Sequence, residues 1–246
     1  MYPRPDTETL FKSYDDYLPA VPEEIDRWKI MMKPVIKKSA ELIELYGRTG
    51  KGRVLDIGCG YGFFLNEMKN RGWDVEGIEI SPAGRKYAQE NLNLHVHGRP
   101  IEDLALAANA FDVVTLFYVI EHIGNPLGII ANVKRILKPG GMLLLRWPHS
   151  TPIVRILGPL ANKLDLYHTP YHLYDFSPET ISRLLILRGF SEITTLIAGN
   201  TQPSDRLGRL SSNIFGKIGE VLYRISGGNI LLPGISKTTL AFKPGH

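Results

Sequence analysis

The chain has 246 residues, enough for one large α/β domain with a sizeable core. With 43% hydrophobic and 22% charged residues, its composition is that of an ordinary globular protein. The net charge of +4 permits an acidic substrate but does not indicate a nucleic-acid partner. One cysteine excludes an internal disulfide and fits a reducing cytoplasm. We expect neither a signal peptide nor a transmembrane segment, because the N-terminus is polar and no apolar run approaches ~18 residues.

The first 48 residues are predicted to form an irregular arm and a helical cap. Residues 1–21 are rich in Pro and Tyr, and two hypotheses stay open. The arm is either a surface tail or a lid in which Tyr14 or Tyr17 covers a bound ligand, since aromatic faces suit positive charge and exclude water. From 22 to 46, apolar residues recur at helical spacing. Pro34 lacks an amide donor, so we expect two helices or a kink there.

The segment 54–62 is a short apolar run that breaks into alternating glycines before a helical pattern. Strand, glycine turn and helix form the opening of a Rossmann-type nucleotide-binding unit, in which a ligand can press on bare backbone. A dinucleotide fingerprint has the spacing G-x-G-x-x-G, whereas Phe63 fills the third glycine position here. The polar end of the ligand is therefore predicted to be smaller and less anionic than a diphosphate.

An acidic residue follows the glycine turn at the sequence spacing that is typical of a ribose-binding carboxylate. Glu79 ends the next predicted strand, 73–80, roughly 20 residues past the glycine turn, where a carboxylate can accept both ribose hydroxyls. A ribose contact combined with a glycine turn that lacks phosphate-binding features points to S-adenosylmethionine (SAM). Ser81 then caps a helix that continues to about residue 92.

A third strand is predicted at 94–97, with His95 and His97 on the same face. Two histidines at this spacing raise the question of a metal, but neither a carboxylate nor a cysteine lies nearby in the sequence. We therefore interpret them as exposed strand histidines and predict no metal site.

The fourth and fifth strands, 111–117 and 142–147, are apolar enough to be buried on both faces. Parallel sheets bind ligands at the carboxyl ends of their strands, so Phe117, Tyr118 and His149 should reach the ligand crevice. The segment 138–141, Lys-Pro-Gly-Gly, is predicted to be a turn.

Two further segments interrupt the α/β alternation. Residues 150–176 are crowded with Leu, Tyr and His and are the natural place for substrate recognition. Residues 199–236 contain an amphipathic helical pattern between strand six, 190–198, and strand seven, 237–243. We favour a helix docked on the domain or across a dimer seam. The alternative is a peripheral membrane contact through 206–225 that serves a lipid-linked substrate.

Four motifs in this order, VLDIGCGYG, GIEIS, FDVVTLFYVIEH and LKPGG, resemble those of class I SAM-dependent methyltransferases. The resemblance is strongest to bacterial type 11/23, ubiquinone-biosynthesis-methyltransferase-like proteins, and covers residues 50–198 plus the final strand. It implies one α/β domain over 1–246 with a Rossmann-like, seven-stranded, mostly parallel sheet. Helices should lie on both faces, strand seven should run antiparallel to strand six, and 150–176 and 199–236 should cover the substrate.

The resemblance also implies where the cofactor binds and how the adenine is held. The turn after strand three usually holds the adenine through an acid just after its glycine, but Arg99 stands there in this chain. Glu102, Asp103 or backbone would then replace that contact. The implied cofactor-binding residues, including an N-terminal lid, are Asp56, Gly58, Cys59, Gly60, Tyr61, Glu79, Ile80, Ser81, Ile101, Phe117, Tyr118, Tyr14 and Tyr17.

Methyl transfer from a sulfonium is an in-line displacement, in which the protein aligns the acceptor and excludes water. We favour an oxygen of a small-molecule acceptor, for which a histidine base suits neutral pH. The candidates are, in order, His172, His149, His168 and His122. His172 leads because relatives often carry a His just before the Phe-Ser-Pro-Glu helix start.

Three other functions stay open: an NAD(P)-dependent oxidoreductase, a non-catalytic SAM-binding relative, and an aminopropyl transferase on the same fold. The missing third glycine argues against the first. An aminopropyl transferase would need an acidic pair near 117–120, where the sequence has Phe-Tyr-Val-Ile. The sequence does not choose between a monomer and a homodimer.

Overall fold

A computed structural model describes residues 18–48, 50–149, 158, 172–202, 206–232 and 234–245. Tyr14, Tyr17 and His168 lie outside these ranges, as does most of the 150–176 insertion. The lid hypothesis for the two tyrosines is therefore not addressed by the structure.

Helices and strands alternate along the chain as the periodicity predicts. The helices are α1 (Pro22–Tyr46), α2 (Phe63–Asn70), α3 (Pro82–Leu92), α4 (Pro126–Ile136), α5 (Pro178–Leu187) and α6 (Arg206–Ile225). The strands are β1 (Arg53–Ile57), β2 (Asp74–Ile78), β3 (Val96–His97), β4 (Phe111–Phe117), β5 (Leu137–Trp147), β6 (Ser191–Leu196) and β7 (Lys237–Phe242). Short 3-10 turns occupy Ile101–Asp103 and Ile120–His122.

The strands form one sheet in the order β3-β2-β1-β4-β5-β7-β6. Strand β7 lies between β5 and β6 and is antiparallel to both, whereas the other pairings are parallel. This confirms the predicted seven-stranded, mostly parallel sheet. The strand order reverses between β1 and β4, and such switch points open the ligand crevice of α/β sheets.

Successive side chains of the central strands point to opposite faces of the sheet, so each face has its own hydrophobic core. Val54 and Val113 face the core that α1, α2 and α3 cover, whereas Leu55 and Val114 face the core under α4 and α5. Apolar side chains on both faces are expected for central parallel strands. The helices therefore lie on both faces, as predicted.

Helix α1 differs from its prediction, because it continues through Pro34 as one helix of 25 residues. Proline removes one intrahelical hydrogen bond but does not oblige the helix to end. Near this position the carbonyl of Met31 accepts a hydrogen bond from the backbone nitrogen of Gln202, at 3.0 Å. A neighbouring segment thus supplies a donor beside the position that proline disturbs.

Two strand boundaries also differ from the prediction. Strand β5 begins at Leu137, so it includes the Lys-Pro-Gly-Gly segment that was predicted as a turn. Leu137 of β5 pairs with Phe111 of β4, and the next pair is Met142 with Val113, so β5 has more residues than β4 between these two pairs. The Lys-Pro-Gly-Gly segment therefore forms a bulge within the pairing of β4 and β5. A local sequence pattern does not distinguish such a bulge from a turn. Strand β3 is reduced to two residues.

Helix α6 has the predicted amphipathic pattern. Its apolar residues Leu210, Ile218 and Ile225 are exposed, whereas Gly216 and Gly219 are buried. The apolar stripe therefore does not dock on the domain, whereas a dimer seam and a membrane contact stay predictions. Among the described residues, no helix is long and apolar enough to cross a membrane.

Candidate active site

The glycine turn between β1 and α2 presents bare backbone. Gly58 and Gly60 have φ values of 74° and 54°, in the left-handed region that favours glycine. A Cβ atom added to Gly58 would lie 2.4 Å from Cγ2 of Val119, so even a methyl group would not fit. The nitrogens of Gly58 and Cys59 donate to the carbonyl of Ile78 at 2.8 and 3.0 Å, which ties the turn to the end of β2.

The carboxylate of Glu79 points at this turn. Oε2 accepts a hydrogen bond from the nitrogen of Gly60 at 2.7 Å, and Oε1 accepts one from the nitrogen of Ser81 at 2.7 Å. Burial raises the pKa of Glu79, while these two backbone donors oppose that shift. Each carboxylate oxygen can accept more than one hydrogen bond, so both can still receive a ribose hydroxyl. The turn and the acid therefore fit the sugar of an adenosine cofactor.

Asp56 lies beneath the turn in the buried end of β1. Its Oδ1 accepts a hydrogen bond from the hydroxyl of Thr115 at 2.7 Å, and burial raises the pKa of Asp56 to about 8. Cys59 is also buried, and burial raises the pKa of its thiol well above the usual range. The buried side chains of Asp56 and Cys59 support the glycine turn. A direct contact of either side chain with the cofactor stays a prediction.

Tyr61 was predicted to bind the cofactor, but its side chain lies in an aromatic cluster. The ring packs edge-on against Trp28 and Tyr87, with centroid distances of 6.4 and 5.5 Å, and the hydroxyl donates to the carbonyl of Pro19. Leu18 packs near Gly60 and is buried. The start of the described chain therefore lies against the glycine turn, and only the backbone of Tyr61 remains for the cofactor.

The remaining predicted cofactor residues lie at the ends of β2 and β4 and after β3. Ser81 is buried beside Glu79, and Ile80 is half-buried. The side chain of Ile101 lies in the core under α4, while Arg99, Glu102 and Asp103 are exposed. Phe117 packs against Phe64 at a centroid distance of 4.8 Å.

Tyr118 has a backbone conformation that is rare for a non-glycine residue, with φ of 57°. Such strain is concentrated at functional sites. The hydroxyl of Tyr118 accepts a hydrogen bond from Nε of Arg146 at 2.8 Å.

Arg146, which the sequence analysis overlooked, lies fully buried at the carboxyl end of β5. Its guanidinium group donates to the carbonyls of Ala198 and Gly199 beyond β6, and to Tyr118. A charged residue inside an apolar strand was the signal that could have identified it. Arg146 connects the ends of three segments that border the crevice.

Glu121, His122 and His172 form a cluster just beyond β4. The imidazole rings of His122 and His172 pack edge to face at a centroid distance of 4.9 Å. One potential ligand atom from each of the three residues lies within 4.8 Å of the others. The nitrogen of Leu173 donates to the carbonyl of Glu121 at 2.9 Å, which draws the start of the segment before α5 onto the turn after β4.

Glu121 is the unusual member of this cluster, with 1% of its surface exposed. Neither carboxylate oxygen has a hydrogen-bond partner among the described residues, and burial raises the pKa of Glu121 to about 8. A buried carboxylate must be neutralised, either by a proton or by a bound cation. The cluster can therefore act as an acid–imidazole pair, or hold a divalent cation such as zinc through one carboxylate and two imidazoles.

His149, the second candidate base, follows β5 and is buried against Trp147, with a centroid distance of 5.8 Å. Its Nδ1 has no hydrogen-bond partner in the part of the chain that the structure describes. Burial and the nearby charge of Lys237 lower the pKa of His149 to about 4. It is therefore neutral at physiological pH but a weak base.

The expectation that no acid lies near His95 and His97 is wrong. Parallel pairing of β2 and β3 places Glu76 beside them, and its Oε1 hydrogen-bonds Nε2 of His97. The other carboxylate oxygen of Glu76 lies 2.9 Å from the guanidinium of Arg53. His95 is exposed, as expected, but His97 is largely covered. Glu76 is nineteen residues from His95 in the sequence, so their proximity becomes evident only from the pairing of β2 with β3.

A family model described as a methyltransferase domain matches residues 28–195, which is more than half of the chain. The chain is 32% identical over 140 residues to the ubiquinone biosynthesis O-methyltransferase of Cereibacter sphaeroides, across 50% of this chain and 57% of the relative. It is 40% identical over 109 residues to the enzyme of that name from Haemophilus ducreyi, across 40% and 46%. The chain thus spans about half the length of these curated relatives.

Solved structures share the fold. A phosphoethanolamine N-methyltransferase 2 from Haemonchus contortus, in complex with S-adenosyl-L-methionine, superposes with a TM-score of 0.66 at 19% identity, over 95% of this chain and 60% of that one. A SAM-dependent methyltransferase from Archaeoglobus fulgidus gives 0.57 at 22% identity, over 86% and 98%. Together with the match to the methyltransferase-domain model, the glycine turn and the position of Glu79 lead to one conclusion: this chain belongs to the class I SAM-dependent methyltransferase family.

Proposed function

We propose that this protein transfers the methyl group of SAM to an oxygen atom of a small-molecule acceptor, with His172 as the general base. The observation that carries the proposal is the cluster of Glu121, His122 and His172 beside the glycine turn. Val119, which borders Gly58, precedes Glu121 by two residues, so the segment that lies against the cofactor turn also carries Glu121 and His122.

The cofactor-binding role falls to the bare backbone at Gly58 and Gly60 and to the carboxylate of Glu79. When bound, SAM supplies an electrophilic methyl group on a positively charged sulfur. The chain has to hold the sugar, align the acceptor oxygen with the methyl group and keep water out. Residues 150–176 and 199–236 and the N-terminal arm, with Tyr14 and Tyr17, are proposed to supply the cover.

His172 is proposed to take the proton from the acceptor hydroxyl as the oxygen attacks. Glu121 and His122 are proposed as positioning residues, because one potential ligand atom of each lies within 4.8 Å of one on His172 and the ring of His122 packs against that of His172. His149 suits a contact with the acceptor better than proton abstraction, since a base with a pKa near 4 gives little driving force at neutral pH.

The comparisons support an oxygen acceptor over a nitrogen or carbon acceptor. The curated relatives that the chain resembles are named as O-methyltransferases. Membership of the family does not favour the NAD(P)-dependent oxidoreductase or the aminopropyl transferase. Within the proposal, residues 1–246 form one domain that works in the cytoplasm as a monomer or homodimer, with no nucleic-acid partner.

Formation of S-adenosylhomocysteine from SAM, measured with a panel of phenols, catechols and amines, tests this function. His172→Ala should lower kcat on a hydroxyl acceptor by about 100-fold and leave the Kd for SAM unchanged. His149→Ala should raise KM more than it lowers kcat. Turnover of amines only, or no turnover with any acceptor class, would contradict the proposal, and the second result would favour a non-catalytic SAM-binding protein.

The metal alternative is tested in the same assay. Protein treated with a chelator should retain its activity if the cluster works as an acid–imidazole pair. Loss of activity on chelation, followed by recovery on adding zinc or magnesium, would instead assign Glu121, His122 and His172 to cation binding.

A further inference from the structure

Helix α6 docks on the domain through its smallest residues. A Cβ atom added to Gly216 would lie 2.5 Å from Cγ of Asn200, and one added to Gly219 would lie 2.5 Å from Cδ1 of Ile235. The hydroxyl of Ser212, on the same side of the helix, donates to the carbonyl of Thr201 at 2.7 Å. The docked face is therefore glycine-rich, because only glycine permits so close an approach.

The opposite face is apolar and exposed. Five apolar residues, spaced four, four, three and four residues apart, form one stripe along the helix: Leu210, Ile214, Ile218, Val221 and Ile225. Between 45% and 79% of the surface of each is exposed. At ~100° per residue, the centre of this stripe lies about 170° around the helix from the docked face. A contiguous apolar stripe of this kind is uncommon on a soluble surface and marks an interaction site.

The charges on α6 indicate which kind of partner the apolar stripe contacts. The helix sequence has four basic residues and one acid, Glu220. Lys217 and Arg224 are exposed and lie on the same flank, about 60–80° from the centre of the stripe at ~100° per residue. Basic side chains beside an apolar stripe can extend to lipid phosphates while the stripe enters the bilayer.

We propose that α6 binds to the surface of a membrane that contains anionic lipids, with this stripe at the boundary between headgroups and acyl chains. The occupant is a membrane rather than a second copy of the chain, because two helices with the same positive excess would repel each other. The helix has 20 residues and is about 30 Å long, and because it is amphipathic rather than apolar all round it would lie along the surface instead of spanning the bilayer.

The position of α6 connects this surface to the crevice. Asn200 and Thr201, which contact α6, follow the carboxyl end of β6 directly after Ala198 and Gly199, the carbonyl partners of Arg146. Membrane docking would therefore hold the carboxyl edge of the sheet near the lipid. A lipid-like acceptor follows if the proposed methyl transfer also holds, whereas binding of α6 to the membrane does not depend on it.

Co-sedimentation with vesicles tests the inference without any methyl transfer. The full chain should bind vesicles of phosphatidylcholine with phosphatidylglycerol, and bind pure phosphatidylcholine vesicles much more weakly. Ile218→Ser with Val221→Ser should lower partitioning by about tenfold or more. Lys217→Glu with Arg224→Glu should abolish the preference for anionic lipid and its salt dependence.

Leu187→Ser is the matched control, because Leu187 is an exposed apolar residue on α5 outside the stripe. It should leave binding unchanged. Circular dichroism melting checks that each variant folds. Failure of the folded chain to bind anionic vesicles would overturn the proposal. A homodimer that the Ile218 and Val221 substitutions dissociate would instead assign the stripe to a second copy.

Discussion

Oε2 of Glu79 lies 2.7 Å from the backbone nitrogen of Gly60, so the carboxylate that follows β2 faces the turn that follows β1. Because β1 and β2 are adjacent and parallel, their carboxyl ends meet at the same edge of the sheet. The acid and the bare backbone thus form one surface for an adenosine. This geometry makes the cofactor site directly testable.

Glu79→Ala should weaken SAM binding by about 10- to 100-fold, because it removes the acceptor for the ribose hydroxyls and leaves two backbone donors unpaired. Isothermal titration calorimetry measures the change. Glu76→Ala is the control, since Glu76 lies three residues before Glu79, on β2, but pairs with Arg53 and His97. Unchanged SAM affinity in Glu79→Ala would rule out the assignment of this carboxylate.

Gly58→Ala should abolish SAM binding or unfold the turn, because the added methyl group would lie 2.4 Å from Val119 in a backbone conformation that disfavours alanine. Gly124→Ala is the matched control, as a Cβ there would meet no atom within 4 Å. Thermal melting with and without SAM separates the two effects. A Gly58→Ala protein that SAM still stabilises as it does the wild type would contradict the steric argument.

Glu121→Gln should stabilise the fold, and increasingly so as the pH rises. The pKa of Glu121 is raised to about 8, so between about pH 4 and 8 the folded state holds a proton that the unfolded state has lost. Stability of the wild type therefore falls as pH rises through this range, by at most ~1.4 kcal/mol per pH unit for this group. Glutamine mimics the protonated acid and removes that slope.

Urea unfolding at pH 5, 6.5 and 8 measures this effect. Asp56 contributes a slope of the same sign, since burial raises its pKa to about 8 as well, so the comparison is between variant and wild type at each pH. A Glu121→Gln protein that is less stable at every pH would show that the carboxylate is ionised and bound to a cation.

Arg146→Lys should destabilise the protein by about 2–3 kcal/mol, because an ammonium group cannot reproduce the planar donors that meet Tyr118, Ala198 and Gly199. Tyr118→Phe, which removes a single acceptor, should cost about 1 kcal/mol. Chemical denaturation of both variants gives the values. Equal stability of Arg146→Lys and wild type would mean that the guanidinium does not hold these segments together.

Much of the cofactor site follows from local sequence. The glycine turn after β1 and the acid after β2 lie within 22 residues of each other, and their spacing is set by one strand–helix–strand unit. The strand alternation and the helix start at Ser177 are likewise encoded by nearby residues, as the capping hydrogen bonds of Ser177 show. Local periodicity and turn chemistry therefore sufficed for the order of the elements and for Glu79, whereas the sheet with its antiparallel last strand was implied by the family resemblance.

Contacts between distant segments required the tertiary structure. His172 is fifty residues from His122, and backbone contacts of Leu173 and Tyr174 with Glu121 bring the two segments together. The acid beside His97 comes from a neighbouring strand, and the buried charge of Arg146 finds its carbonyl partners beyond β6. Helix α6 shows the same limit, because an amphipathic pattern defines two faces without saying which one docks. Close packing at Gly216 and Gly219 decided that the apolar face points outward.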